Sequence, residues 1–88
     1  MKKELAEYII CLSECLAHAK QADDRQYYTM YLADAAVILA LLEIESDKKM
    51  LEQKVDTHER LICNTWITNE DDYKSFYAAW GKFKRLLR

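Results

Sequence analysis

The sequence predicts an all-α protein, built as a small bundle of three to four helices. Its 88 residues contain no proline and a single glycine, so the chain lacks the residues that form tight β-turns. Apolar residues recur at intervals of three and four along most of the chain, which is the spacing of one helix face. An apolar share of 51% is enough for one domain, residues 1–88, with a modest core.

The first predicted helix covers residues 3 to 22. Its apolar residues fall within one arc, as in a helix packed on a core. They are Leu5, Tyr8, Ile9, Leu12, Cys15, Leu16 and Ala19. Asp23 or Asp24 is then expected to cap a second helix, because a short carboxylate side chain accepts hydrogen bonds from the first backbone N–H groups.

The second helix, predicted to run to about Glu45, has two apolar faces. One comprises Tyr28, Tyr31, Leu32, Ala35, Ile38, Leu39 and Leu42. The other, roughly opposite, comprises Met30, Ala33, Val37, Ala40, Leu41 and Ile44. Because a helix in a monomeric bundle needs only one such face, we expect a homo-oligomer formed through helix 2.

A third helix is predicted at about 47 to 66, with Leu51, Val55, His58, Ile62 and Trp66 on its apolar side. Ser46 and Asp47 can cap it. However, no proline or glycine separates helices 2 and 3, so the pattern equally allows one long rod that bends near Ser46.

The fourth helix has the clearest amphipathic pattern. Thr68 and Asn69 can cap it, acidic residues occupy its first turn and basic residues its end, which suits the helix dipole. Its apolar face comprises Tyr73, Phe76, Tyr77, Trp80, Phe83 and Leu87. The basic end comprises Lys74, Lys82, Lys84, Arg85 and Arg88.

Composition and charge exclude several classes of function. The net charge of −2 provides no general attraction for DNA, and the longest apolar run, Ala35 to Leu42, is far shorter than the ~20 residues of a membrane-spanning helix. Three cysteines cannot all pair within the chain, which favours a reducing cytoplasm, and we expect no signal peptide.

No catalytic motif accompanies these patterns, so we expect a protein that is not an enzyme and needs no cofactor. Cys11, Cys15 and His18 share one side of helix 1 at a spacing that suits zinc. The sequence offers no obvious fourth ligand, so we interpret them as packing residues.

A ligand pocket between subunits is the more specific functional hypothesis that the sequence supports. Tyr8 is expected at the rim of the helix 1 face, with one side of its ring exposed, while Lys20, Arg25 and Tyr28 surround the turn into helix 2. Tyr8 and Arg25 would lie about 20 Å apart within one antiparallel hairpin, so Tyr8 would meet Arg25 or Lys20 of a neighbouring subunit. A stacking ring beside a cation suits a nucleobase attached to a phosphate.

The size of the chain, its helical hairpin and its two-faced second helix resemble the phage anti-CBASS sponge family. The resemblance implies a hexameric, cytoplasmic protein of phage origin that sequesters cyclic di- or trinucleotides in pockets between subunits without cleaving them. It would assign base stacking to Tyr8, a supporting charge to Arg25 and contact with larger ligands to Arg60. The alternative is a small inhibitor or immunity protein that docks on a bacterial enzyme through helix 2 or the basic end of helix 4.

Overall fold

The computed structural model describes residues 1–44 and 47–87, and this part of the chain forms a helical bundle, so the all-α prediction is confirmed. Glu45, Ser46 and Arg88 lie outside the described residues. The helices of the described part are α1 (Lys2–His18), α2 (Ala22–Glu43), α3 (Lys48–Asn64) and α4 (Glu70–Arg85).

The helices alternate in direction around the bundle. Helix α1 packs between α2 and α4, and α2 also packs on α3. The hydroxyls of Tyr31 and Thr65 form a hydrogen bond between the first half of α2 and the residue that follows α3. His18 at the end of α1 contacts Asp72 at the start of α4. Because the Tyr31–Thr65 contact folds α3 back along α2, the single bent rod is excluded.

Helix α1 ends at His18, four residues earlier than the pattern predicts. Ala19 is extended, with φ −67° and ψ 132°, and its carbonyl accepts a hydrogen bond from Nε of Arg25 at 2.8 Å. This contact turns the chain into α2, whose N-cap is Gln21. The prediction that Asp23 or Asp24 is the N-cap is therefore wrong, because both lie in the first turn of α2.

Two of the predicted caps are confirmed. The side chain of Asp47 accepts from the backbone N–H of Lys49 at 3.1 Å, and that of Asn69 accepts from the N–H of Asp72 at 3.1 Å. The predicted cap at Ser46 lies outside the described residues. Thr68 does not cap α4 and instead donates to Asp24 on α2.

The core is formed by the predicted faces of the helices, and three aromatic residues of α4 lie at its centre. Phe76, Trp80 and Phe83 are fully buried. The other buried apolar residues are Leu5, Tyr8, Leu12, Cys15, Ala19, Tyr28, Tyr31, Ala35, Ile38, Leu51, Val55, Ile62 and Ile67. No helix among the described residues is long and apolar enough to cross a bilayer.

Trp66 departs from the predicted core. Helix α3 ends at Asn64 and Thr65 is extended, with φ −115° and ψ 156°, so the apolar stripe stops one turn before the tryptophan. The side chain of Trp66 is 78% exposed. The prediction that Trp66 lies on the buried face of helix 3 is wrong, because α3 ends at Asn64, two residues before Trp66.

The two tryptophans give a matched test of this core. Trp80→Ala should lower the free energy of unfolding by about 3 to 5 kcal/mol, because it empties a fully buried site. Trp66→Ala should change it by less than about 0.5 kcal/mol, because an exposed side chain makes few contacts. Urea unfolding followed by circular dichroism measures both. Equal destabilisation by the two variants would contradict the burial pattern.

Candidate functional site

Tyr8, the residue predicted to stack on a ligand, is fully buried in the structure. Its hydroxyl contacts Nε2 of His58 at 2.7 Å, and its ring centroid lies 5.1 Å from that of Trp80. The predicted position at the rim of the helix 1 face is therefore wrong. Tyr8 shares the buried side of α1 with Leu5, Leu12 and Cys15, so its ring offers no face to a ligand.

His58 connects Tyr8 to a carboxylate on α2. Its Nδ1 lies 2.6 Å from Oδ2 of Asp34, and Lys54 forms an ion pair with the other oxygen of that carboxylate. Burial lowers the pKa of His58 below its ordinary value, although Asp34 opposes the shift. Burial alone would raise the pKa of Asp34, but hydrogen bonds from Lys54 and His58 outweigh it and lower that pKa.

The two pKa directions favour a neutral His58 beside an ionised Asp34. A neutral imidazole next to an ionised carboxylate carries its proton on Nδ1 and donates it to Asp34. Nε2 is then an acceptor, so the Tyr8 hydroxyl donates to it. The chain of hydrogen bonds links α1, α3 and α2, and none of the buried side-chain polar atoms among the described residues lacks a partner. We call it the Tyr8–His58–Asp34 relay.

The remaining predicted ligand residues do not converge on Tyr8. Arg25 is exposed and its Nε is engaged by the Ala19 carbonyl, whereas Tyr28 is buried and donates to Oδ2 of Asp72 at 3.0 Å. Lys20 is exposed at the same end of the bundle. Arg60 is exposed on α3. Of the predicted ligand residues, only those around the connection between α1 and α2 lie at the same end of the bundle, and Tyr8 is in the core.

A hollow of about 530 Å³ lies at this end, beside Lys20. It is lined by His18, Ala19, Lys20, Gln21, Asp24, Thr68, Asn69 and Asp72. Asp24 is buried and accepts from the backbone N–H of Thr68 at 3.1 Å and from its hydroxyl at 2.6 Å. These bonds hold the α3–α4 connection against α2. Two carboxylates in the lining make the hollow a poor site for a phosphate.

A cluster of three possible metal ligands lies at the same end of the bundle, where the end of α1 meets the start of α4. Cys15 is buried on α1, His18 is exposed in its last turn, and Asp72 is in the first turn of α4. One ligand atom from each of the three lies within 4.8 Å of the others. Sequence analysis found the cysteine and the histidine but missed Asp72, since no local pattern indicates which helix start packs beside the end of α1.

An open groove lies where α3 meets α4, around the exposed Trp66. Its volume is about 360 Å³. It is lined by Cys63, Thr65, Trp66, Ile67, Glu70, Tyr73 and Lys74. The rings of Tyr73 and Tyr77 stack beside it, with centroids 5.4 Å apart and planes 18° apart. We call this the Trp66 groove.

Comparison with protein-family models, curated proteins and solved structures finds no match for this chain.

The relay predicts how stability depends on pH. Because the folded state holds His58 neutral, the unfolded state binds more protons below its ordinary pKa of 6.5, and stability should fall as the pH drops from 6.5 toward the lowered pKa of the folded state. His58→Gln, which keeps a donor and an acceptor, should flatten this slope.

His18→Gln is the matched control, because His18 is an exposed histidine. Denaturant unfolding at several pH values measures the slopes of all three proteins. If His18→Gln removes the slope and His58→Gln leaves it, the proposed protonation state of His58 is wrong.

Proposed function

We propose that this protein is a self-associating, non-catalytic binding protein that docks on a protein partner through the Trp66 groove. The exposed indole carries the proposal. A side chain of this size that is 78% exposed leaves a large apolar surface in water, and tryptophan is among the residues that contribute most to binding energy at protein interfaces. The groove beside it is mostly apolar in character, which suits an inserted aliphatic or aromatic side chain.

Local charge favours a protein segment over a phosphate-bearing ligand. Glu70 and Lys74 both line the groove, so the two charges balance there. The whole chain adds a net charge of −2, which gives an anion no further attraction. A partner with an apolar anchor between polar residues matches this surface.

The buried groups that resemble catalytic residues support a non-catalytic role. His58 is 0% exposed and its ring is enclosed by those of Tyr8, Tyr31 and Trp80, at centroid distances of 5.6, 6.4 and 4.6 Å. A general base must come within hydrogen-bond reach of its substrate. A substrate could reach this imidazole only if the core opened.

The outward face of α2 is the surface through which we propose self-association. Met30, Val37 and Ile44 are 40%, 46% and 70% exposed, and Ala33 and Ala40 are also exposed between them. These residues follow the three- and four-residue alternation of a coiled-coil seam, with small alanines that let two helices approach closely. The exposed residues of α2 from Gln26 to Ala40 carry no charge.

A charge placed on this seam should dissociate the oligomer without unfolding the subunit. Val37→Asp is expected to give a folded monomer, because the side chain is exposed in the subunit but would be buried, and unpaired, in the assembly. Ile10→Asp is the matched control, since Ile10 is 57% exposed on α1. Sedimentation at micromolar concentration measures the oligomeric state of the parent protein and both variants. A monomeric parent protein would contradict the proposal. Dissociation by Ile10→Asp but not by Val37→Asp would also contradict it.

Partner binding should depend on the Trp66 ring. Tagged protein and its Trp66→Ala variant are used to capture partners from bacterial lysate, and each candidate is purified and titrated by calorimetry. Trp66→Ala should cost at least about 2 kcal/mol in binding, which is roughly a 30-fold loss of affinity. Ile10→Asp should bind like the parent. A partner whose affinity is unchanged by Trp66→Ala would contradict the groove as its docking site.

Sequestration of a cyclic oligonucleotide is the second candidate. One observation favours it: the exposed Trp66 and Lys74 line the same groove, and an aromatic ring with a cation is the combination first sought at Tyr8 and Arg25. The site would then be Trp66 and Lys74, because Tyr8 is buried.

A thermal-shift series of cyclic di- and trinucleotides tests this candidate. A ligand present at 100 times its dissociation constant should add about 2.7 kcal/mol of stability. Trp66→Ala should abolish the shift, and the ligand should be recovered uncut after heat denaturation. If no cyclic oligonucleotide stabilises the parent protein, sequestration is excluded and protein docking remains.

A further inference from the structure

We propose that Cys15, His18 and Asp72 form a zinc site that joins α1 to α4, with the thiol of Cys11 as the fourth ligand. The starting observation is geometric: one thiol, one imidazole nitrogen and one carboxylate oxygen lie within 4.8 Å of one another. Sulfur, imidazole and carboxylate are the ligands that Zn²⁺ takes in proteins, in tetrahedral sites.

One ligand–ligand distance already matches that of a bound site. Tetrahedral ligands at zinc distances of about 2.0 to 2.3 Å lie roughly 3.3 to 3.8 Å from each other. Nε2 of His18 and Oδ1 of Asp72 are already 3.3 Å apart. His18 has an exposed side chain, so it can adjust without disturbing the core.

A neighbouring residue holds the carboxylate in position. Tyr28 donates a hydrogen bond to Oδ2 of Asp72 at 3.0 Å, while Asn69 accepts from its backbone N–H. Oδ1 is left to contact His18. Hydrogen bonds that orient metal ligands in this way are a regular feature of zinc sites.

Cys11 is the proposed fourth ligand, although it is not one of the three residues whose ligand atoms lie within 4.8 Å of one another. It lies one turn before Cys15 on the same side of α1 and is partly buried. Lys20 lines the adjacent hollow but is exposed, so its ammonium group can stay in solvent.

Zinc binding to the thiols would release their protons to solvent. When each sulfur–zinc bond forms, its thiol loses one proton to solvent, the carboxylate is already ionised, and the imidazole binds through a neutral nitrogen. The metal would then crosslink the end of α1 to the start of α4. This site is distinct from the Trp66 groove and would act on stability and not on partner recognition.

Cobalt is the probe, because tetrahedral Co²⁺ bound to thiolate absorbs in the visible and near-ultraviolet. The full chain, purified with a chelator and a reductant that does not bind metal, is titrated with Co²⁺ and then with Zn²⁺. We expect equimolar uptake at micromolar concentration, thiolate charge-transfer absorption, and displacement of cobalt by zinc. Absence of tetrahedral absorption would overturn the proposal.

Variants identify the ligands. His18→Ala, at an exposed position, and Cys15→Ser should abolish equimolar binding, Cys11→Ser should reduce the charge-transfer absorption, and Tyr28→Phe should weaken affinity by about 10- to 100-fold. Cys63→Ser is the matched control, because this exposed thiol lies in the Trp66 groove. Binding that survives His18→Ala, or that is lost with Cys63→Ser, would overturn the site.

Discussion

The hydrogen-bond chain from Tyr8 through His58 to Asp34 is the constraint on which the rest of the structure depends. It joins three helices at one buried imidazole. Each member would be costly to bury alone, because an unpaired polar group loses its water without compensation. Together they fix the register of α1 and α2 on α3. Lys54 at the edge of the network balances the charge of the carboxylate.

Because the polar and aromatic groups of the core already contact one another, we look for binding sites on the outer surface. The polar groups at its centre already have protein partners, and its aromatic rings pack on one another. Trp66 and the outward face of α2 are among the apolar features that the described part of the bundle leaves exposed. They lie on different elements, so the proposed partner docking and the proposed self-association would use separate surfaces.

The all-α fold class and the packing faces could be predicted from the sequence, because they depend on local spacing, whereas the pattern leaves the separation of α2 from α3 open. The buried arcs of α1 and α2 and the Asn69 cap are examples. Tyr8 and Trp66 could not be placed correctly, for different reasons. Tyr8 depends on a histidine fifty residues away that satisfies its hydroxyl, while Trp66 depends on where α3 ends. Asp72 joins Cys15 and His18 only through the packing of α4 on α1, which no local pattern contains.

Nitrogen-15 NMR of the His58 ring is the most direct test of the account, because the proposed relay requires one tautomer. At pH 7 the account predicts a neutral imidazole with its proton on Nδ1, hydrogen-bonded to Asp34, and a bare Nε2 that accepts from the Tyr8 hydroxyl. A doubly protonated ring at that pH, or a proton on Nε2, would contradict it.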